Sequence, residues 1–256
     1  MFINNFDPVA INFFSLEIRW YSLSYIFGIL FAWIYCRKFL IKDEKTLNLF
    51  DDLLSYLIIG IILGGRIGYV LFYNLSYYSK NLLEVFMIWE GGMSFHGGLL
   101  GVIAATYIFS KKKNIKTFVF LDLISMSAPI GIFMGRIANF INSELYGRET
   151  NLFWSVKFKK IDDTFRHPSQ IYEAIFEGVI LFILLNFIFR KQFYKSPGLI
   201  SALFLIFYSL FRFFIEFTRE PDFQIGYILF NLTLGQFLSF LFFMFGLFLF
   251  YKKNES

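Results

Sequence analysis

Long apolar runs, separated by short segments rich in charged and polar residues, divide the chain. A helix needs about 20 mostly apolar residues to cross the hydrocarbon core of a bilayer. Seven runs of that kind can be counted, over residues 20–39, 53–73, 93–110, 117–140, 171–189, 198–217 and 228–250. The pattern predicts an all-α polytopic membrane protein with seven transmembrane helices, in which residues 1–256 form a single domain.

Positive charges lie mainly on one side of the predicted spans. Thirteen Lys and Arg residues follow the first, third, fifth and seventh runs: Arg37, Lys38, Lys42, Lys45, Lys111, Lys112, Lys113, Lys116, Arg190, Lys191, Lys195, Lys252 and Lys253. Because cytoplasmic loops are enriched in Lys and Arg, we expect the N-terminus outside and the C-terminus in the cytoplasm. The N-terminus has neither a basic n-region nor a small-residue cleavage site, so no removable signal peptide is expected.

The longest polar connection, residues 141–170, follows the fourth run and is expected on the outer side. It is large enough for a small external subdomain between helices 4 and 5. The alternation in FWSVKFKK, residues 153–160, predicts a strand or a hairpin there.

The composition is typical of a membrane protein and limits the kinds of site that the chain can form. Hydrophobic residues make up 57% of the chain and charged residues 17%, against about 25% charged in soluble domains. A single cysteine excludes a disulfide within the chain, and two histidines without a metal-ligand motif make a protein-built metal site improbable. The net charge of +5 is explained by the Lys and Arg residues that follow the apolar runs, so it does not require a nucleic-acid partner.

Three arginines, Arg66, Arg136 and Arg212, lie within or at the end of apolar runs. Each would cost about 2.5–3.5 kcal/mol near the bilayer centre, and such residues usually face a partner or a wet cavity. The alternative is that their long side chains reach an interface.

Arg212 belongs to a helical stripe with Tyr208, Glu216 and Arg219, at steps of four, four and three residues. Glu216 can pair with an arginine on each side. Two cations around one carboxylate leave a positive surplus, which predicts an anionic ligand. A self-satisfied ion network is the alternative interpretation.

The segment GRIANFINSELYGRE, residues 135–149, is polar where the fourth run ends. Arg136 and Asn139 share a helical face, and Glu144 lies near the expected helix end. An arginine fork with amide donors can hold a phosphate, and Glu144 can orient Arg136 or accept a proton.

His96 lies in GGMSFHGG, residues 91–98. A histidine can exchange a proton near neutral pH, although a lone histidine is often a packing residue. The glycines of this segment and of GGRIG, residues 64–68, permit close helix packing. The nearby Ser94 lacks the GxSG setting of an intramembrane serine protease.

Several long motifs, in order along the chain, resemble the bacterial prolipoprotein diacylglyceryl transferase family. They are WYSLSY at 20–25, GGRIGYVLFYN at 64–74, WEGGMSFHGGLLG at 89–101, GRIANFINSELYGR at 135–148, RHPSQIYE at 166–173 and FRFFIEFTREPD at 211–222. One departure is Ala138, where the family commonly has glycine.

The resemblance implies an enzyme of the bacterial inner membrane with seven spans and its active site toward the outer leaflet. It would transfer the diacylglyceryl group of phosphatidylglycerol to the lipobox cysteine of a prolipoprotein signal peptide, and release glycerol 1-phosphate. The family requires no metal or cofactor. Its critical residues map onto Tyr21, His96, Arg136, Asn139, Glu144, Arg212 and Glu216.

The reaction suggests roles for these residues. His96 is the candidate base for the substrate thiol, and Arg136 and Arg212 are the candidate phosphate ligands. Glu216 and Glu144 would hold the arginines. Headgroup contacts are expected from Asn139, Tyr21, Tyr208 and Arg66.

A transporter or lipid flippase is the main rival, since intramembrane arginines also serve transport. A headgroup phosphotransferase would need clustered metal-binding aspartates, which the chain lacks. A purely structural scaffold would leave the buried arginines unexplained.

Overall fold

The protein is mostly helical. The computed structural model describes residues 1–13, 16–73, 75–87, 91–190, 196–221, 226–228 and 231–254. The helices are α1 (Trp20–Tyr35), α2 (Glu44–Tyr73), α3 (Leu75–Tyr78), α4 (Phe95–Lys112), α5 (Thr117–Asn142), α6 (Ser169–Glu173), α7 (Leu181–Arg190), α8 (Leu199–Ile215) and α9 (Leu234–Asn254). π-Helical turns at Cys36–Leu40 and Ala174–Ile180 extend α1 and join α6 to α7.

Six of the helical segments in the described part are long and apolar enough to cross a membrane: Trp20–Leu40, Glu44–Phe72, Thr117–Asn142, Ser169–Phe189, Leu199–Thr218 and Leu234–Lys252. Six of the predicted spans are therefore helical and apolar enough, which makes this a multi-pass membrane protein. The remaining predicted span, 93–110, forms helix α4, which is not among the six. Its glycines, His96 and terminal lysines lower its apolar character, and its crossing of the membrane stays a prediction.

Two helix starts differ from the predicted ones. Helix α2 begins at Glu44 rather than at residue 53, because the preceding polar segment continues the helix. Helix α9 begins at Leu234 rather than at residue 228, and the hydroxyl of Thr233 accepts a hydrogen bond from the Gln236 amide at 3.2 Å, as an N-cap does. Residues 229 and 230 of this predicted span, and Lys191 and Lys195, lie outside the described residues.

Two small sheets correct the all-α prediction. In one, β4 (Val156–Phe158) lies between β1 (Phe2–Asn4), which is parallel to it, and β5 (Phe165–Arg166), which is antiparallel. The predicted strand within residues 153–160 is thereby confirmed. In the other, β2 (Val9–Phe13) and β3 (Leu16–Arg19) form a hairpin directly before α1. Neither β1 nor this hairpin was expected from the sequence pattern.

An ion network fixes the polar connection between α5 and α6. Arg166 donates from Nε to Asp162 at 3.1 Å and forms further ion pairs with Glu149 and Glu220. Hydrogen bonds from Arg166 lower the pKa of Asp162 to about 2, so this carboxylate stays charged far below neutral pH. Burial lowers the pKa of His167, which therefore favours its neutral form.

The contacts divide the chain into two units, residues 1–38 with 122–256, and residues 39–121. Within the first, α8 packs along α9; within the second, α2 packs along α4. The backbones of α2 and α4 approach closely at glycines, for example Gly64 against Gly97 and Gly60 against Gly101. This confirms that these glycines serve helix packing. That residues 1–256 form a single domain stays a prediction.

Gly101→Ala is expected to destabilise the second unit by about 1–3 kcal/mol, the usual cost of overpacking. The added methyl carbon would lie 2.7 Å from the carbonyl carbon of Gly60, and backbone there can move only together with α2. Thermal unfolding in detergent measures the effect. Gly131→Ala is the matched control, because its methyl group would meet no atom within 4 Å. Equal unfolding temperatures for the two variants would contradict the prediction.

Candidate functional site

Two arginines from different apolar helices share the same pair of carboxylates. Arg136 of α5 contacts Glu173 at 3.1 Å and Glu177 at 3.2 Å. Arg212 of α8 pairs with Glu173 through Nη1 and lies 3.6 Å from Glu177. Cations and carboxylates therefore alternate around a closed circuit. We call Arg136, Glu173, Arg212 and Glu177 the Arg–Glu ring.

The helix that begins at Ser169 supplies both carboxylates of the ring. Glu173 ends α6, and Glu177 lies four residues later in the π-helical turn, so both side chains project from one side of the segment. π-Helical turns are rare and occur frequently at functional sites. The start of α6 is fixed to the segment directly after α5: Ser169 Oγ donates to the Leu145 carbonyl at 2.9 Å, and Gln170 Nε2 donates to the Glu144 carbonyl at 2.6 Å.

A second pair of ionic contacts extends the ring along α8. Glu216 lies 2.8 Å from Arg212 and 3.7 Å from Arg219, which confirms the pairing predicted from the stripe. Thr233 donates its hydroxyl to Glu216 at 3.0 Å. At Gly235 a methyl group would lie 2.7 Å from a Glu216 oxygen, so a larger residue there would displace the carboxylate. We call the ring together with Glu216 and Arg219 the charge cluster.

The charge cluster contains three arginines and three glutamates, so the predicted positive surplus is wrong when all six are ionised. The distribution of exposure nevertheless favours an anion. The side chains of Glu173 and Glu177 are 0% exposed, whereas those of Arg136 and Arg212 retain 16% and 10%. A ligand that reaches the ring can therefore contact the arginine side chains but not the carboxylates.

The end of α5 and the residues directly after it bring two further predicted residues, Asn139 and Glu144, together with Asn142. Asn139 donates to Glu144 Oε2 at 3.2 Å, and Asn142 donates to Oε1 at 3.4 Å. The amides of the asparagines thus hold Glu144. The expectation that Glu144 orients Arg136 is not matched by these contacts, since Arg136 pairs with the two ring glutamates instead.

The two predicted tyrosines lie in the electrostatic field of the site. The hydroxyl of Tyr21 is 3.1 Å from that of Tyr25, and its ring interacts with the charges of Arg136 and Glu144. Tyr208 interacts with the charges of the ring residues. Phenol groups at these positions can bind polar oxygens of a ligand.

Arg66 and His96 belong to the second unit. Arg66 is buried and donates to backbone carbonyls of the segment after α3, with Nε 2.8 Å from the Val85 oxygen. Its guanidinium also lies over the ring of Tyr78, at 5.1 Å. Through these contacts Arg66 stabilises the fold of this segment. Its predicted contact with a lipid headgroup stays a prediction.

His96 lies in the first turn of α4, directly after the Ser94 N-cap. Ser94 is buried and accepts a hydrogen bond from the Gly97 amide at 3.2 Å. That hydroxyl is used as a helix cap, which argues against a serine nucleophile.

Glu173 and Glu177 are the site residues that sequence reasoning missed. Both lie in the predicted span 171–189. A carboxylate in an apolar run is as costly as an arginine, so this cost is the sequence signal that marks both glutamates as candidates. Within the described ranges, no group of three or more His, Cys, Asp or Glu side chains is placed to hold a metal ion.

Comparison with known proteins identifies the family. The family model described as prolipoprotein diacylglyceryl transferase matches residues 8–252. The chain is 51% identical over 246 residues to a protein of Ehrlichia ruminantium strain Welgevonden, with 95% of each chain covered. It is 49% identical over 253 residues to one of Rickettsia bellii strain OSU 85-389, covering 98% of this chain and 96% of the relative. It is 48% identical over 259 residues to one of Rickettsia typhi, with both chains fully covered.

All three relatives are named phosphatidylglycerol–prolipoprotein diacylglyceryl transferase. Both the matched span and the identities extend over nearly the whole chain. This protein therefore belongs to the prolipoprotein diacylglyceryl transferase family.

Proposed function

We propose that this protein transfers the diacylglyceryl group of phosphatidylglycerol to the lipobox cysteine of a prolipoprotein signal peptide, the first step of lipoprotein maturation. The thiol sulfur attacks the glyceryl carbon that bears the phosphate. A sulfur–carbon bond forms, the carbon–oxygen bond to phosphate breaks, and the bonding electrons leave with glycerol 1-phosphate. The thiol proton passes to a base.

The Arg–Glu ring is the observation that best supports this proposal. The phosphate is negative in the lipid and becomes more so as it leaves, and two preformed guanidinium groups suit that charge. Arg136 and Arg212 come from different helices, and the buried glutamates fix both. The arginine side chains keep some exposure, which the carboxylates lack, and a guanidinium group can bind phosphate oxygens directly.

The remaining roles follow the family motifs and the local contacts. Asn139 and Glu144 are hydrogen-bonded to each other. The Asn139 amide donates to phosphate or hydroxyl oxygens of the headgroup, and the Glu144 carboxylate accepts from its hydroxyl groups. Glu216 holds Arg212 at 2.8 Å. His96 accepts the thiol proton; this assignment rests on the motif GGMSFHGG and on the chemistry of imidazole. Headgroup contacts are also assigned to Tyr21, Tyr208 and Arg66.

The membrane arrangement is proposed from charge and hydropathy. Seven helices, including α4, cross the bacterial inner membrane, with the N-terminus outside and the C-terminus in the cytoplasm. Residues 141–170 then form a small external subdomain, and the active site faces the outer leaflet. Phosphatidylglycerol enters sideways from the bilayer, and the signal peptide arrives from the outer face.

The direct test incubates the purified protein with phosphatidylglycerol and a lipobox peptide, and weighs the peptide by mass spectrometry. The expected result is a gain of one diacylglyceryl group. A peptide whose cysteine is replaced by serine should gain nothing. No gain with folded protein would reject the transferase and favour the transporter.

A further inference from the structure

Glu173 and Glu177 are shared by the two ring arginines and do not each neutralise a single arginine. Each contacts both ring arginines, so neither guanidinium belongs to one partner alone. Both carboxylates are fully buried, and Glu177 Oε1 accepts no hydrogen bond from the described residues. Glu177 does accept a hydrogen bond from Arg136 through Oε2, and Glu173 accepts one from Arg212. Each carboxylate therefore both holds a guanidinium group and adds a negative charge to the ring.

The proposed reaction makes the net charge of this site important. The substrate carries a phosphodiester with one negative charge, whereas the product is a phosphomonoester with about −1.5 to −2 charge near pH 7. A site with surplus positive charge would bind the product more tightly than the substrate, and turnover would stall. A site in which carboxylates balance the charge of the arginines avoids this product inhibition.

We infer that Glu173 and Glu177 are specificity-determining residues that keep the Arg–Glu ring from holding the phosphomonoester product more tightly than the phospholipid substrate. The inference rests on the proposed function. The charged and titratable groups that act on Glu177 are Arg136, Arg212, Glu173 and Tyr208. Removing the Glu177 charge therefore leaves the cluster with one uncompensated arginine.

Glu177→Gln tests the inference, because glutamine keeps the side-chain size and removes the charge. Transfer to a lipobox peptide is measured in mixed micelles of varied phosphatidylglycerol fraction, with added glycerol 1-phosphate as the product probe. We expect the inhibition constant of glycerol 1-phosphate to fall about tenfold, a change typical of one nearby charge. The phosphatidylglycerol fraction that gives half-maximal rate should fall less. Glu177→Asp should restore the wild-type ratio.

Glu149→Gln is the matched control, because Glu149 is an exposed carboxylate paired with Arg166, outside the charge cluster. Its two constants should equal those of the wild type. Equal changes of substrate and product binding in Glu177→Gln would indicate a purely structural role and overturn the inference. So would a Glu173→Gln variant that transfers the group and keeps both constants at their wild-type values, because Glu173 carries the other buried charge of the ring.

The proposed function fails separately from this inference. If the wild-type protein transfers no diacylglyceryl group, the function itself is rejected. If it transfers the group and Glu177→Gln shows unchanged product inhibition, only the inference is rejected.

Discussion

Arg212→Ala is expected to reduce diacylglyceryl transfer by about 10²–10³-fold or more, the loss seen when one preorganised charge-stabilising group is removed. Arg212 contacts Glu173, Glu177 and Glu216. Without it, three carboxylates face only two arginines, so the cluster becomes negative and repels a phosphate. The mass-spectrometric peptide assay measures the loss.

The same substitution is expected to lower stability, because removing one partner of a buried ion pair costs about 3–5 kcal/mol. A double variant separates the two effects. Arg212→Gln combined with Glu216→Gln leaves two arginines and two glutamates, so we expect the unfolding temperature in detergent to recover toward the wild type. Transfer should not recover, since the phosphate ligand is still missing.

Arg212→Lys adds a test of geometry. Lysine retains the charge but lacks the planar fork that can bridge two carboxylates and a phosphate, so we expect intermediate activity. Wild-type transfer in a folded Arg212→Ala protein would remove this arginine from the mechanism.

The membrane spans were predictable because the bilayer permits few structures. Each backbone polar group must find a partner within the segment, so an apolar run of sufficient length has to be helical. The pairing of Phe2–Asn4 with Val156–Phe158 was not predictable in the same way. Three residues carry no periodic signal, and their partner strand lies about 150 residues further along the chain.

In the candidate site, too, contacts within one helix could be predicted from the sequence, whereas contacts between helices could not. The pairing of Arg212 with Glu216 follows from helical spacing, and the structure confirms it. The contacts of both ring arginines with Glu173 and Glu177 join three helical segments, and no spacing within one segment reveals them. For Arg66, likewise, the sequence pattern did not reveal that its carbonyl partner Val85 lies in the short 3₁₀-helix Leu82–Phe86.

His96→Gln is expected to lower transfer about 10²–10⁴-fold near neutral pH, the usual contribution of a general base. Glutamine retains hydrogen bonding but cannot accept the thiol proton. The substrate thiol has a reference pKa of about 8.5, and only its thiolate attacks. In the variant, the rate should therefore rise about tenfold per pH unit below that value, so that the deficit shrinks as the thiol ionises without help. A pH profile of the transfer rate measures this.

His167→Gln is the matched control, because His167 is the other histidine of the chain. Its Nδ1 lies 3.2 Å from the Tyr172 hydroxyl, and burial lowers its pKa. It therefore stays neutral between about pH 7 and 9 and adds no titration to the profile. We expect near wild-type rates from this variant. If the profiles of His96→Gln and the wild type run parallel, His96 orients the headgroup and another group takes the proton. If the variant keeps the wild-type rate, His96 has no part in the reaction.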